Sequence, residues 1–201
     1  MSRNMNTRRS LYIICLLLLS AVGNKLDAQT VVKSVRQAND STNHALIHQI
    51  GFDVRPGYVA PTNSFLEGDN AQRQKIDRSL SLHLKYAFQF SKDSYLGRLY
   101  PHAYQGIGVS HNTFYNSAEL GNPVAVYAFQ GAPIVRLSSC LSLDYEWNFG
   151  ASFGWKQYDE HSNWYNDAIG SKINAYINLG FVLNWQFYPQ WKLAAGVDFT
   201  H

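Results

Sequence analysis

The chain has 201 residues, enough for one domain of ordinary size. Aromatic residues make up 14% of it and charged residues only 15%, against roughly 25% charged in ordinary soluble domains, so its surface is poor in ionised groups. The net charge of +3 arises at the start of the chain: of 17 basic and 14 acidic residues, Arg3, Arg8, Arg9, Lys25 and Asp27 lie in residues 1–28, leaving 13 of each elsewhere. A neutral remainder gives no reason to expect a nucleic-acid partner.

Residues 1–28 read as a secretory signal. Arg3, Arg8 and Arg9 form a charged start, and Leu11 to Leu19 is an apolar run of h-region length, well short of the roughly 20 residues of a spanning helix. Ala28-Gln29 is the expected cleavage point. The strongly apolar core favours the general secretory route over the twin-arginine route that Arg8-Arg9 faintly suggests. Cys15 lacks the small preceding residues of a lipoprotein site, so Cys140 is the one cysteine of the mature part, expected as a small packing residue.

Residues 29–43 are polar and aperiodic, a lead-in to a domain spanning 44–201. A first strand is expected over about Ala45 to Val59, with Leu46, His48, Ile50, Phe52 and Val54 on one face and Gln49, Gly51, Asp53 and Arg55 on the other. Pro61 to Asp77 reads as a loop. The second strand alternates Leu80, Leu82, Leu84, Tyr86, Phe88 and Phe90 with Ser81, His83, Lys85, Ala87 and Gln89. A Gly-rich third strand runs from about Ala103 to Asn112, and a weakly alternating fourth, carrying Pro133, from Val124 to Val135.

The fifth and sixth strands carry the architecture. Leu143, Tyr145, Trp147, Phe149, Ala151, Phe153 and Trp155 alternate with polar or small residues, as do Ala175, Ile177, Leu179, Phe181, Leu183, Trp185 and Phe187. These rows outrun globular strands and carry rings near their ends, where aromatic girdles meet the lipid–water boundary. Gln157 to Ser171 is a long polar loop and Tyr188-Pro189-Gln190 a tight turn. A seventh row, Trp191, Leu193, Ala195, Val197 and Phe199, ends with His201 in phase.

This pattern predicts an all-β fold, an eight-stranded antiparallel outer-membrane β-barrel of which about seven strands are present. A soluble sandwich or lipid-binding barrel would alternate too, but would expose charge and bury its apolar row. Asp53, Arg55, Lys85, Asp144, Glu146, Lys192 and Asp198 are expected to face inward and pair as a structural ion network. Bacterial barrels of one chain have even strand numbers, so the chain is expected to be cut short at the C-terminus.

Four stretches resemble one known family. Tyr104-Gln105-Gly106-Ile107-Gly108-Val109-Ser110, Leu120 to Tyr127, Ala168 to Gly180 and Ala195-Gly196-Val197-Asp198-Phe199-Thr200-His201 together look like the lipid A 3-O-deacylases, and more closely like the Bacteroidetes members usually labelled acyloxyacyl hydrolases. The resemblance covers about residues 44–201. It implies an outer-membrane carboxylic ester hydrolase that removes an ester-linked acyl chain from lipid A of lipopolysaccharide. The family's catalytic histidine stands in a His-x-Ser pattern with a glutamate further on. His201 matches that histidine, while the serine and glutamate would lie beyond it, so this chain alone is expected to be inactive.

Two positions apart on a strand share a face, so serine and histidine would both point into lipid, where the histidine takes the serine proton and the carboxylate orients it. A polar group on a lipid face is costly, which is why an in-phase histidine draws a functional reading. The implied partners are lipid A and outer-membrane lipid; a homodimer is left open. No cofactor and no metal is expected: His44, His48, His83, His102 and His111 lack ligand spacing, with His44 and His48 in phase but partnerless. Glu160-His161-Ser162 reads as loop polarity, since neighbours point apart in extended chain. Gly106-x-Gly108 lies within a strand, where phosphate binding is not expected. The alternative from another class is a non-catalytic structural or adhesive barrel.

Overall fold

The computed structural model describes residues 46–201. The expected signal at 1–28, the lead-in at 29–43 and His44 lie outside the described residues.

Seven strands follow one another: β1 (Ile47–Tyr58), β2 (Arg78–Gln89), β3 (Tyr104–Thr113), β4 (Gly121–Arg136), β5 (Leu141–Trp155), β6 (Ile173–Tyr188) and β7 (Trp191–Thr200). They form one antiparallel sheet in chain order. The sheet curls into a half-barrel, because side chains of β1 and β7 meet on its inner face: Arg55 with Asp198 and Lys192 with Gln49. Among the described residues no strand pairs with the outer edge of either β1 or β7.

The period-two pattern sorts the two faces. Ser81, His83, Lys85 and Ala87 of β2 turn inward while Leu82, Leu84 and Tyr86 turn outward, and β5 and β6 repeat the arrangement. Weak alternation in β4 has a physical cause. Its inner row, Ala125, Tyr127 and Phe129, is itself apolar and joins Ala87 and Tyr176 in the buried aromatic core, with Tyr104 packed against it. Two glycines make that core fit: a Cβ at Gly108 would meet the Tyr127 ring, and one at Gly131 the Tyr104 ring.

The outward row of β5 stops at Phe153, correcting the expectation for Trp155. Gly154 has φ +88°, a left-handed conformation that breaks the alternation. Trp155 turns to donate from Nε1 to Ser152 Oγ at 2.8 Å and to pack against Phe114, with ring centroids 5.4 Å apart.

Alternating strand direction puts the β1–β2, β3–β4 and β5–β6 connections at one end. There Phe65, Ile76 and Leu120 bury together, supported by Phe114, Tyr165 and Ile169. A short helix α1 (Ser64–Glu67), capped by Asn63 through a 3.0 Å bond from Leu66 N–H, lies in the first connection. The opposite end has tight β4–β5 and β6–β7 turns and a longer β2–β3 connection holding α2 (Tyr95–Leu99). Cys140 is exposed in the β4–β5 turn, its Sγ 3.4 Å from Ser138 Oγ, so it is not the packing residue expected.

Candidate functional site

His201 extends the ladder past the last strand residue. Its N–H donates to the Ile177 carbonyl at 2.8 Å and its carbonyl accepts from Ile177 N–H at 3.0 Å. Residues that exchange both backbone bonds stand directly opposite and share a face, so His201 lies on the outer face with Ile177 and Phe199. Across the sheet the same row continues through Phe149 and Ala128. The imidazole is exposed on an apolar surface, and the positions beside it are hydrocarbon. Among the described residues none supplies a nucleophile or an orienting acid to it, and a histidine alone abstracts a proton without completing an acyl transfer.

The second cluster is ionic and lies on the inner face. Lys85 Nζ stands 2.6 Å and 2.7 Å from the two Glu146 carboxylate oxygens and 3.5 Å from Asp53. Arg55 donates to Asp53 at 2.8 Å and to Asp198 at 2.5 Å, and lies 3.5 Å from Glu146. Tyr104 Oη donates to Glu146 at 3.3 Å, and the Lys85 ammonium sits over the Phe129 ring at 4.6 Å. Two cations thus serve three carboxylates brought together from four strands.

Five of the seven inward charges expected from sequence meet here. Asp144 instead accepts from Asn184 at 2.9 Å, and Lys192 bonds the Gln49 amide oxygen at 3.3 Å rather than a carboxylate. Every oxygen of Glu146 is occupied by a cation or a hydroxyl, which leaves it unsuited to proton transfer and suited to holding strands in register.

Sequence reading did not find the hydrogen bonds that lie beside this cluster, toward the end with the longer connections. His83 Nδ1 and Tyr127 Oη lie 2.8 Å apart in the buried core, and Asn148 donates to Asn178, which donates to Thr200. The available signal was position alone: each sits on the inner row of its strand. Partner identity requires the cross-strand register.

The other histidines are accounted for locally. His48, for which no metal-ligand partner is expected, bonds Tyr86 Oη through Nδ1 at 2.7 Å on the outer face. His102 Nε2 lies 2.6 Å from Arg136 Nη1. Burial and the Arg136 guanidinium beside it hold His102 below the ordinary imidazole value. Glu160-His161-Ser162 forms a turn, not extended chain: His161 and Glu160 approach to 3.7 Å. Ser162 donates to Asp159, not to His161, and those bonds lower the Asp159 carboxyl below its ordinary value. No serine–histidine pair forms there. Among the described residues no group of three or more His, Cys, Asp or Glu side chains is arranged to hold a metal ion.

The loop end is tied together by Glu119. Its Oε1 accepts from Ala71 N–H at 3.0 Å, its Oε2 from Asn116 at 2.8 Å, and its carbonyl from Asn163 and Asn166. Three connections therefore converge on one residue. No family model, no curated protein and no solved structure matches this chain.

Proposed function

We propose that this protein is an outer-membrane β-barrel of eight strands that hydrolyses an ester-linked acyl chain of lipid A, with His201 as general base. The observation that carries the membrane setting is inverted polarity on strands in the middle of the sheet. Ile107, Phe149 and Leu179 are 64%, 58% and 57% exposed, while Glu146 and Asn148 on the opposite face are 4% and 1% exposed. A water-soluble barrel hides the first set and exposes the second. Hydrocarbon tails are the solvent in which the observed sorting lowers the free energy.

The hydrolase reading rests on the family resemblance together with the outer-face position of His201. An imidazole there can reach an ester near the headgroup boundary, given a serine two positions along the same face and a glutamate to orient it. Among the described residues none matches the serine or the glutamate that the resemblance calls for. The second reading, a non-catalytic structural or adhesive barrel, is favoured by an inner face filled with paired charges and by the hydrocarbon surroundings of His201.

The two readings separate by mass spectrometry of lipid A from cells expressing the full reading frame, as wild type and as His201→Ala, alongside density fractionation of membranes. Loss of one acyl chain in the wild type and its retention in the variant is the expected result. Intact lipid A with the wild-type protein folded in the outer membrane would leave the structural barrel standing. Recovery in the soluble fraction would remove both readings.

A further inference from the structure

We propose that α2 and the basic side chains beside it form a binding surface for anionic phospholipid at the turn end of the sheet. The inference rests on the reading of the chain as a membrane barrel and does not depend on ester hydrolysis.

The faces of α2 are reversed relative to those of a helix in water. Positions i, i+1 and i+4 share one side of a helix, so Tyr95, Leu96 and Leu99 form an apolar stripe, which Tyr100 extends. All four are exposed, Tyr95 at 70% and Leu99 at 52%. The buried side holds the small residues Ser94 and Gly97 instead. Ser94 Oγ accepts from Gly97 N–H at 2.9 Å and donates to the Ser91 carbonyl at 2.7 Å. A Cβ on Gly97 would meet that same carbonyl. This close approach fixes which side of the helix turns outward, and it leaves the leucines without a protein partner.

Charge at this end is equally one-sided. Arg98 Nη1 donates to the Asp93 backbone carbonyl at 3.0 Å, not to a carboxylate. Arg136 lies 2.6 Å from His102 Nε2 and donates to the Ser139 carbonyl at 3.2 Å, which brings the β4–β5 turn against the connection that holds α2. Lys92 is exposed. Among the described residues no carboxylate pairs with any of these three cations. At the opposite end Arg73 and Arg78 do have acidic partners, Asp69 and Asp77.

The two observations together select the occupant. Hydrocarbon alone would cover the stripe but leave three cations without counter-charge. A phospholipid interface supplies both: acyl carbon beneath the headgroups for the leucines, and phosphate oxygens level with the cations. Tyrosine rings favour the same boundary. The outer row of β2 runs into this connection through Phe88 and Phe90, whose ring centroids lie 6.0 Å apart, so the stripe continues the apolar outer face. Short turns of such barrels face the periplasm, which makes the lipid an inner-leaflet phospholipid.

The test uses the 201-residue chain with Cys15→Ser and Cys140→Ser and one new cysteine carrying a nitrobenzoxadiazole fluorophore. The label is placed at Leu99→Cys or, on the outer face of β6, at Phe181→Cys. Each protein is refolded into phosphatidylcholine vesicles that hold a minor share of spin-labelled lipid, either phosphatidylglycerol or phosphatidylcholine. Quenching is expected at both positions, with phosphatidylglycerol favoured roughly fivefold at Leu99→Cys, the factor that one lysine or arginine supplies near an anionic surface, and not favoured at Phe181→Cys. Lys92→Gln/Arg98→Gln/Arg136→Gln is expected to abolish that preference while the Leu99→Cys label stays quenched. Added salt should abolish it without the triple substitution, a measurement that stands even where the triple variant does not fold. Quenching at Phe181→Cys but not at Leu99→Cys overturns the proposal and leaves the membrane barrel standing. Equal quenching by the two lipids at Leu99→Cys, or a preference that survives both the triple substitution and salt, does the same. Absence of quenching at both positions removes the membrane reading and this proposal with it.

Discussion

Arg55 of β1 donates to Asp198 of β7 at 2.5 Å, although the two residues are 143 apart in sequence. The contact joins the first described strand to the last through the inner face and holds the curl of the sheet. Both side chains are partly exposed, at 20% and 30%, so the interaction falls between a surface pair and a buried one. A double-mutant cycle of Arg55→Met and Asp198→Asn, read by urea unfolding, is expected to give a coupling of about 1–2 kcal/mol. Full additivity of the two substitutions would mean that the bridge does not hold the edges.

Lys85 and Glu146 are more deeply placed, and removing one partner leaves the other charge stranded. Lys85→Met is expected to destabilise the fold by about 3–5 kcal/mol. The double variant Lys85→Met/Glu146→Leu should recover most of that loss, because an apolar pair of similar volume avoids the desolvation of both ions. Thermal or urea unfolding of the three variants checks the order.

Tryptophan position distinguishes the faces. Trp185 and Trp191 lie on the outer face and are exposed, whereas Trp155 is turned toward Ser152 and Phe114. In vesicles containing brominated acyl chains, variants retaining only Trp185 or Trp191 are expected to lose most of their fluorescence. The variant retaining only Trp155 should keep most of its emission. Equal quenching at all three would contradict the assigned faces.

At the turn end, His102 must accept from Arg136, since a guanidinium only donates; the ring is therefore neutral, with its proton on Nδ1. Burial first, and the neighbouring cation second, lower its proton affinity. The fold favours the unprotonated ring, so its contribution is whole above about pH 6.5, the unfolded value. That contribution declines as pH falls below 6.5 toward the lowered folded value. Imidazole NMR should give a His102 midpoint below 6.5 that rises in Arg136→Gln. A midpoint unmoved by that substitution would rule out the guanidinium as a cause.

The strands and their two faces were legible in the sequence to within a few residues because alternation is a local property: successive side chains point to opposite sides of any extended chain. Thus Leu82, Leu84 and Tyr86, or Leu179 and Phe181, could be assigned to one face without a partner in view. That His201 continues the outer row follows from the same phase, and its pairing with Ile177 carries it through. The sequence also suggested which charges would turn inward, since Asp53, Arg55, Lys85, Glu146 and Asp198 all fall on the opposite phase.

Only the tertiary structure decided which of those charges meet. Contact between Arg55 and Asp198, or between Lys85 and Glu146, depends on the stagger accumulated across intervening strands and on how tightly the sheet curls. Neither quantity is encoded in any one strand's pattern. The same holds for Trp155, turned off its row by the left-handed backbone at Gly154, and for the weak signal of β4, whose inner residues are apolar because they fill the centre of the curled sheet. Faces follow from the backbone's own geometry; partners follow from the registers of several strands taken together.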